Sequence, residues 1–265
     1  MDSAHAIPRA TAAEIIARLG AELARMPGGA LLASDADGTI WDGDVGIDLF
    51  EALLAVRGVR EVAREALAEE ARAIGLSSNG DANALTVALY DAYKAERYAH
   101  DRAFAMMAWA FAGWTEDELD AFCQRVLRDG RIESRIRPEL VSFFRWAEDH
   151  GVAVYVVSAS PIAMIRAAAP QLGIGTDRVV AMTPAVGDDG RLLPRIAGPI
   201  VYGEGKMAAL EQARPDARTT LLGAFGDSTY DAAMLRAARV PVAVTPAPGL
   251  VALAPTITGL VTLAR

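Results

Sequence analysis

Two aspartates, Asp35 and Asp37, directly follow an apolar segment over residues 31–34 that has the pattern of a buried strand. Residues two apart in a strand point to the same side, so both carboxylates would emerge together at its end. Gly38 permits a sharp turn immediately afterwards. Two carboxylates at the carboxyl end of a strand suggest a site for a charged ligand, although an ordinary Asp/Gly turn has the same composition.

Three further polar groups stand at the ends of predicted elements. Ser158 follows a β-branched run over residues 152–157, and Asp227 follows a predicted strand over residues 220–225. Lys206 lies in the first turn of a predicted helix, where a cation opposes the helix dipole and needs an anion nearby. Each residue alone could be a helix cap or a surface charge. Together at one edge of a sheet, these groups predict a site for a divalent cation and a phosphate.

Carboxylates, a hydroxyl and an ammonium group can together transfer a phosphoryl group. One carboxylate can act as nucleophile and form an aspartyl phosphate, which divides one difficult displacement into two easier ones. A second carboxyl can protonate the leaving oxygen and later accept a proton from water. An anionic nucleophile about 4 Å from a phosphate charge is repelled by roughly 4 kcal/mol per charge pair at an effective dielectric near 20. Mg²⁺, which prefers oxygen ligands, and a lysine could offset that repulsion.

The elements that position these groups follow from apolar periodicity. A helix is predicted over residues 11–25 and a strand over residues 30–34. Repeated strand–helix units later in the chain favour a parallel sheet covered by helices. These later predictions are strands over 152–157, 179–183, 220–225 and 240–244, helices over 138–150, 162–169, 203–213 and 229–238, and a hairpin turn at 187–190.

A helical block separates the first strand from the others. From about residue 48 to residue 129 the pattern is helical, and no strand interrupts it. We therefore expect a catalytic core formed by residues 1–44 and 132–265, and an inserted helical cap over residues 45–131 that covers the carboxyl edge of the sheet. The cap helices are predicted over 47–56, 59–74, 82–99, 102–112 and 116–127.

Composition excludes several classes of protein. The chain has 265 residues and a formal net charge of -8, and no run of Lys and Arg, so neither a nucleic acid nor an anionic membrane surface is an expected partner. Cys123 is the only cysteine, and the three histidines, His5, His100 and His150, are far apart, which argues against a disulfide or a zinc site. The apolar runs are too short or too broken to span a bilayer, and no secretory signal is apparent. We expect a cytoplasmic protein.

The ordered motifs resemble those of the haloacid dehalogenase-like (HAD) superfamily of phosphatases. The insertion after the first motif resembles the helical cap of the phosphoserine phosphatase-like branch. The resemblance implies an α/β fold, with a Rossmannoid three-layer core around a parallel sheet and an inserted all-helical cap domain. The motifs are Asp35-Ala36-Asp37-Gly38-Thr39, Ser158, Lys206 and Gly226-Asp227-Ser228-Thr229-Tyr230-Asp231.

The resemblance also implies a role for each motif residue. Asp35 would be the nucleophile, and Asp37 the general acid and base. Ser158 and Ala159 would bind the transferring phosphoryl group, and Lys206 would neutralise both nucleophile and phosphate.

A Mg²⁺ ion is the cofactor that the resemblance implies. Asp35, Asp227 and the backbone carbonyl of Asp37 would ligate it. Behind these ligands, Asp231 would orient Lys206 or the water molecules of the metal, and Ser228 would also lie in this layer behind the ligands. The last motif, residues 226–231, departs from the Gly-Asp-Gly-x-Asn-Asp that is usual in phosphoserine phosphatases.

Substrate specificity is assigned to Asp44 and Trp41. Asp44 falls where the branch often carries a glutamate that meets the substrate's amine, but Asp42 and Asp44 also fit ordinary turn residues. Aromatic residues of the predicted cap could form a cage for a quaternary ammonium, although their helical spacing favours core packing. These aromatic residues are Tyr90, Tyr93, Tyr98, Trp109 and Trp114.

The predicted function is Mg²⁺-dependent hydrolysis of a small phosphorylated metabolite. Asp37 favours phosphate esters, because the dehalogenases and phosphonatases of the superfamily lack this second aspartate. Phosphoserine, phosphocholine, phosphoethanolamine and a sugar phosphate all fit the pattern. A phosphotransferase with an acceptor other than water, and a catalytically silent regulatory protein that binds phosphate or metal, are the alternatives. The oligomeric state has no signature in the sequence.

Overall fold

The computed structural model describes residues 7–214, 216 and 218–264. In this part of the chain, strands form one large sheet and one hairpin. The strands are β1 (Arg9–Ala10), β2 (Ala30–Ser34), β3 (Ala153–Pro161), β4 (Val179–Met182), β5 (Pro184–Val186), β6 (Leu192–Ile196), β7 (Thr220–Gly226), β8 (Val240–Ala243) and β9 (Val261–Leu263).

Helices cover the sheet and form most of the segment between β2 and β3. Within the described residues, no helix is both long and apolar enough to cross a membrane. The helices are α1 (Ala12–Leu23), α2 (Val45–Ala55), α3 (Arg64–Ala73), α4 (Ala82–Lys94), α5 (His100–Trp109), α6 (Glu116–Asp129), α7 (Pro138–Asp149), α8 (Ile162–Ala168), α9 (Glu204–Ala213), α10 (Ala232–Ala237) and α11 (Pro248–Leu253).

The large sheet has the strand order β1-β9-β8-β7-β2-β3-β4. All of its neighbouring strands are parallel. Asp35 continues the ladder beyond β2, because its N–H donates to the Phe225 carbonyl of β7 at 2.9 Å. The carboxyl ends of β2, β3 and β7 therefore meet at one edge of the sheet, where ligands bind in open α/β folds.

Both faces of the sheet are buried, which confirms the three-layer core. Every residue of β2 is buried, and successive side chains point to opposite faces. Leu32 belongs to a hydrophobic cluster that includes Phe143 of α7. Its neighbour Leu31 belongs to a second cluster that includes Leu210 of α9. A strand covered by helices on both sides requires such a continuous apolar sequence.

Helices α2 to α7 lie between β2 and β3, and no strand of the described residues interrupts them; α2 to α6 fall within the predicted insertion. The predicted helical block is therefore confirmed, although some boundaries differ. Helix α4 ends at Lys94 instead of residue 99, because the backbone turns at Glu96, whose φ is 55°. The helix predicted over residues 59–74 begins with a 3₁₀ turn at Glu61–Ala63 and continues as α3.

The hairpin predicted around residues 187–190 is confirmed by the antiparallel pair β5 and β6. It reaches the helical insertion: the Gly113 N–H donates to the Leu192 carbonyl at 2.7 Å, and the Leu192 N–H donates to the Trp114 carbonyl at 2.9 Å. These bonds connect the insertion to a segment that follows β4. Strands β1 and β9, of two and three residues, were not predicted because such short elements show no periodicity.

Candidate active site

The carboxyl ends of β2, β3 and β7 surround a pocket of about 180 Å³. A larger surface cavity of about 740 Å³ lies beside Trp146 and Gln171, but none of the predicted site residues lines it. The residue types that line the smaller pocket, and not its volume, therefore identify it as the candidate site. The described residues that line the pocket are Asp35, Asp37, Asp44, Phe104, Ser158, Ala159, Ser160, Tyr202, Lys206, Asp227, Ser228 and Tyr230.

Asp35 is 5% exposed, and both of its carboxylate oxygens are engaged. Lys206 Nζ lies 2.6 Å from Asp35 Oδ1, and the Thr39 hydroxyl donates to Asp35 Oδ2 at 3.1 Å. Burial raises the pKa of Asp35 well above its ordinary value; the Lys206 ammonium opposes this rise, and the nearby carboxylates add to it. The ionised form of Asp35 thus depends on cations beside it.

Lys206 lies between two buried carboxylates. Its Nζ is 2.6 Å from Asp35 Oδ1 and 2.6 Å from Asp231 Oδ1. Burial on its own would lower the pKa of Lys206, but the two carboxylates outweigh it and raise that pKa above the ordinary value. The first turn of α9 therefore carries a charged lysine with the counter-anions that its position demands.

Asp231 is fully buried and stabilises the turn after β7. Its Oδ2 accepts hydrogen bonds from the backbone N–H groups of Asp227 and Ser228, at 3.1 and 3.0 Å, and from the Ser228 hydroxyl at 3.1 Å. Its Oδ1 faces Lys206. Because both oxygens are engaged, Asp231 orients the lysine and also fixes the turn that carries Asp227.

Asp37 is held by four donors. Its Oδ1 accepts from Trp41 Nε1 at 2.9 Å and from the Val45 N–H at 2.7 Å. Its Oδ2 accepts from the hydroxyls of Ser160 at 2.7 Å and Ser158 at 3.3 Å. Ser160 was not predicted as a site residue, because a second serine so soon after Ser158 carried no separate signal. These donors orient the Asp37 carboxyl toward the pocket edge formed by β3.

Two glycines permit the close approach of these segments. Gly38 has a φ of 77°, and a side chain there would collide with the Asp227 carboxylate. A Cβ on Gly46 would overlap the Ser160 hydroxyl. Glycine at position 46 therefore lets the start of α2 lie this close to the end of β3.

The family model of haloacid dehalogenase-like hydrolases matches residues 32–236, which is well over half of the chain. The chain belongs to this family. No curated protein matches it by sequence.

Solved structures share the fold of this HAD hydrolase at low sequence identity. A protein of unknown function from Bordetella pertussis Tohama I is 23% identical, with a TM-score of 0.69, over 89% of this chain and 99% of that one. A functionally unknown protein from Anaerococcus prevotii DSM 20548 is 16% identical, with a TM-score of 0.61, over 82% and 79%. A phospho-aspartyl intermediate analogue of phosphoserine phosphatase is 15% identical, with a TM-score of 0.53, over 89% and 94%.

The HAD hydrolase site contains three carboxylates that are close enough to share a cation. Ligand oxygens of Asp35, Asp227 and Asp231 lie within 4.8 Å of one another. Burial, followed by repulsion from Asp231, raises the pKa of Asp227 to about 7. Such a set of oxygen donors fits a hard divalent cation such as Mg²⁺. The predicted ligand set has the Asp37 carbonyl in place of Asp231, and that assignment stays a prediction.

The structure corrects the expectation for Trp41. Its side chain is fully buried and does not line the pocket of this HAD hydrolase. The indole Nε1 donates to Asp37 Oδ1 at 2.9 Å. Trp41 therefore contacts Asp37 from the buried side, away from the pocket.

Asp44 lies at the start of α2 and at the edge of the pocket, and its contact with a substrate's amine stays a prediction. It caps α2, because its Oδ1 accepts from the Ile47 N–H at 2.8 Å, and it also lines the pocket. Burial, followed by repulsion from Asp37, raises the pKa of Asp44 to about 8. Asp42 is exposed and pairs with Arg137, so it is a turn residue only.

The five aromatic residues of the insertion named above are packed in or against the hydrophobic core, and none lines the pocket. Three other aromatic residues line it instead, and we call them the aromatic wall: Phe104 of α5, Tyr202 before α9, and Tyr230 in the turn after β7. Tyr230 directly precedes Asp231 in the sequence, and Tyr202 lies one helical turn before Lys206; that proximity was the one signal available for them.

Proposed function

We propose that this HAD hydrolase is a Mg²⁺-dependent phosphomonoester hydrolase that acts on a small phosphorylated metabolite through an aspartyl phosphate on Asp35. The observation that carries the proposal is the buried arrangement of Asp35, Lys206 and Asp231 beside Asp227. An ammonium 2.6 Å from a carboxylate offsets its charge and lowers the barrier to the approach of an anionic phosphate. The likeness in fold to a phosphoserine phosphatase held as a phospho-aspartyl analogue supports the same route.

In the first step, a carboxylate oxygen of Asp35 forms a bond to phosphorus, and the bond from phosphorus to the substrate's ester oxygen breaks. Asp37 donates a proton to that oxygen, so the product leaves as an alcohol. In the second step, Asp37 accepts a proton from water as the water oxygen bonds to phosphorus. The bond to Asp35 breaks, and inorganic phosphate leaves the regenerated carboxylate.

Lys206 and the end of β3 hold the phosphoryl group during both steps. Lys206 offsets negative charge on the nucleophile and on the transferring oxygens. The Ser158 hydroxyl and the backbone N–H of Ala159 donate to those oxygens. Ser158 Oγ lies 3.3 Å from Asp37 Oδ2, which is longer than a strong O–H···O bond. The hydroxyl can therefore turn toward a phosphate at little cost.

The residues that would hold Mg²⁺ are Asp35, Asp227 and the backbone carbonyl of Asp37, with Asp231 and Ser228 supporting them. When bound, the ion supplies Lewis-acid stabilisation of the charge shared by carboxylate and phosphate. The pocket of about 180 Å³ is smaller than the roughly 300–1,000 Å³ of pockets for drug-sized ligands, which favours a small substrate.

Release of phosphate from p-nitrophenyl phosphate, with Mg²⁺ and with EDTA, tests the proposal. We expect Mg²⁺-dependent turnover that Asp35→Asn abolishes, because an amide cannot attack phosphorus as a carboxylate does. Asp188→Asn is the matched control, since Asp188 is exposed in the hairpin turn and should keep full activity. Full activity in Asp35→Asn, or no activity in the wild type with Mg²⁺, would overturn the proposal. New phosphoesters formed in the presence of added alcohols would indicate a phosphotransferase instead.

A further inference from the structure

The aromatic wall is continuous across the boundary between the insertion and the rest of the chain. The ring centroids of Tyr202 and Tyr230 are 4.4 Å apart, and those of Phe104 and Tyr202 are 5.7 Å apart. All three side chains are half-buried and line the same pocket as Asp35. Whatever group is attached to the phosphate would lie in a small space bounded partly by these rings.

The charged groups that line the pocket are mostly acidic. Among the described residues, four carboxyl groups and one ammonium line it, and the ammonium is Lys206. Lys206 is already in contact with two buried carboxylates. No described arginine lines the pocket. Mg²⁺ and Lys206 would already be paired with the phosphoryl group and the carboxylates around it, so a carboxylate on the substrate would find no further cation among the described residues that line the pocket.

We propose that the substrate is a phosphomonoester whose alcohol half carries an ammonium group and no carboxylate, and that the aromatic wall contacts this ammonium group. The inference rests on the proposed function and specifies its substrate class. Aromatic faces attract cations through the ring quadrupole, and they do so more strongly where water is partly excluded. The volume of about 180 Å³ favours a short amino alcohol.

Two matched pairs of phosphoesters test this inference by kcat/KM for phosphate release. Phosphocholine is compared with its neutral isostere, in which a carbon atom replaces the ammonium nitrogen. Phosphoethanolamine is compared with phosphoserine, which differs by an added carboxylate. We expect phosphocholine to exceed the isostere by roughly 2- to 30-fold, the range that a cation–π contact supplies. Phosphoethanolamine should exceed phosphoserine.

Calorimetric binding to Asp35→Asn in the presence of Mg²⁺ gives a readout that does not require turnover. If no phosphoester is hydrolysed by the wild type, the proposed function fails, while the same two preferences in binding still test the substrate class. Equal affinity for phosphocholine and its isostere, or tighter binding of phosphoserine than of phosphoethanolamine, would overturn the inference.

Variants of Phe104 test whether the aromatic wall causes the preference for phosphocholine over its isostere. Phe104→Leu should bring the ratio of phosphocholine to isostere toward one, whereas Phe104→Tyr, which keeps the ring, should preserve it. Because the ratio compares two ligands on one variant, a general loss of activity does not affect it. Thermal unfolding by circular dichroism confirms that each variant is folded. If the ratio of phosphocholine to isostere is unchanged in Phe104→Leu, the role of the aromatic wall is contradicted. If that variant does not fold, the comparison of the two ligand pairs on the wild type still decides the inference.

Discussion

Replacement of Lys206 by Met removes a buried charge and keeps the length of the side chain. Lys206 Nζ lies 2.6 Å from both Asp35 Oδ1 and Asp231 Oδ1, and all three side chains are less than a tenth exposed. Removal of one partner from such a buried arrangement leaves unpaired charge and costs about 3–5 kcal/mol of unfolding free energy. Since a domain of this size loses roughly 2–4 °C of Tm per kcal/mol, the variant should unfold roughly 6–20 °C below the wild type.

Urea unfolding and thermal unfolding in EDTA measure this loss without a metal ion. Lys94→Met is the matched control: Lys94 is the other lysine of the chain, its side chain is 53% exposed, and it pairs with Asp91. Such a surface pair contributes about 0–1 kcal/mol. Equal losses of unfolding free energy in Lys206→Met and Lys94→Met would refute the assignment of Lys206 as the cation that neutralises Asp35 and Asp231.

Three further predictions concern single side chains. In Asp44→Asn the helix cap is kept, while a carboxyl whose folded pKa of about 8 exceeds its ordinary 3.8 is removed. Between about pH 4 and about pH 8 this carboxyl ionises in the unfolded chain but stays protonated in the folded wild type, so the wild type loses stability as the pH rises. The Tm of the variant should therefore gain on that of the wild type over the interval, and a constant difference would contradict the shift. Ser160→Ala removes the 2.7 Å donor to Asp37 and should lower kcat for p-nitrophenyl phosphate by roughly 10- to 100-fold, which an unchanged kcat would disprove. Gly46→Ala places a methyl group against Ser160 and should cost about 1–3 kcal/mol in urea unfolding, whereas Gly20→Ala, in the open interior of α1, should stabilise; equal effects would argue against the close contact.

The site could be located from the sequence because each of its polar groups directly follows an element with a strong apolar pattern. Parallel strands bring their carboxyl ends to one edge, so Asp35, Ser158 and Asp227 were expected to meet, and they line one pocket with Lys206. The need of Lys206 for a local anion was also predictable, because a cation in the first turn opposes the helix dipole. The chemical role of each residue stays a prediction.

The aromatic wall could not be predicted, because it depends on how the insertion packs against the rest of the chain. Periodicity identifies the buried face of a helix but not the element that covers it, so nothing in the sequence joins Phe104 to Tyr202. The role of Trp41 was wrongly predicted for a related reason. Asp37 accepts from four donors, and the sequence does not show that the indole is the one that donates from the buried side. Asp44 was ambiguous because one carboxyl can both cap a helix and face a pocket.

Transfer of a phosphoryl group to Asp35 is the central claim, and peptide mass spectrometry after rapid acid quench measures it most directly. The enzyme is mixed with p-nitrophenyl phosphate and Mg²⁺ and is quenched within one turnover. We predict a phosphoryl group on the peptide that contains Asp35, absent from Asp35→Asn and retained in Asp188→Asn. Rapid turnover with no phosphoryl group on that peptide, or a phosphoryl group on a different residue, would contradict Asp35 as the nucleophile.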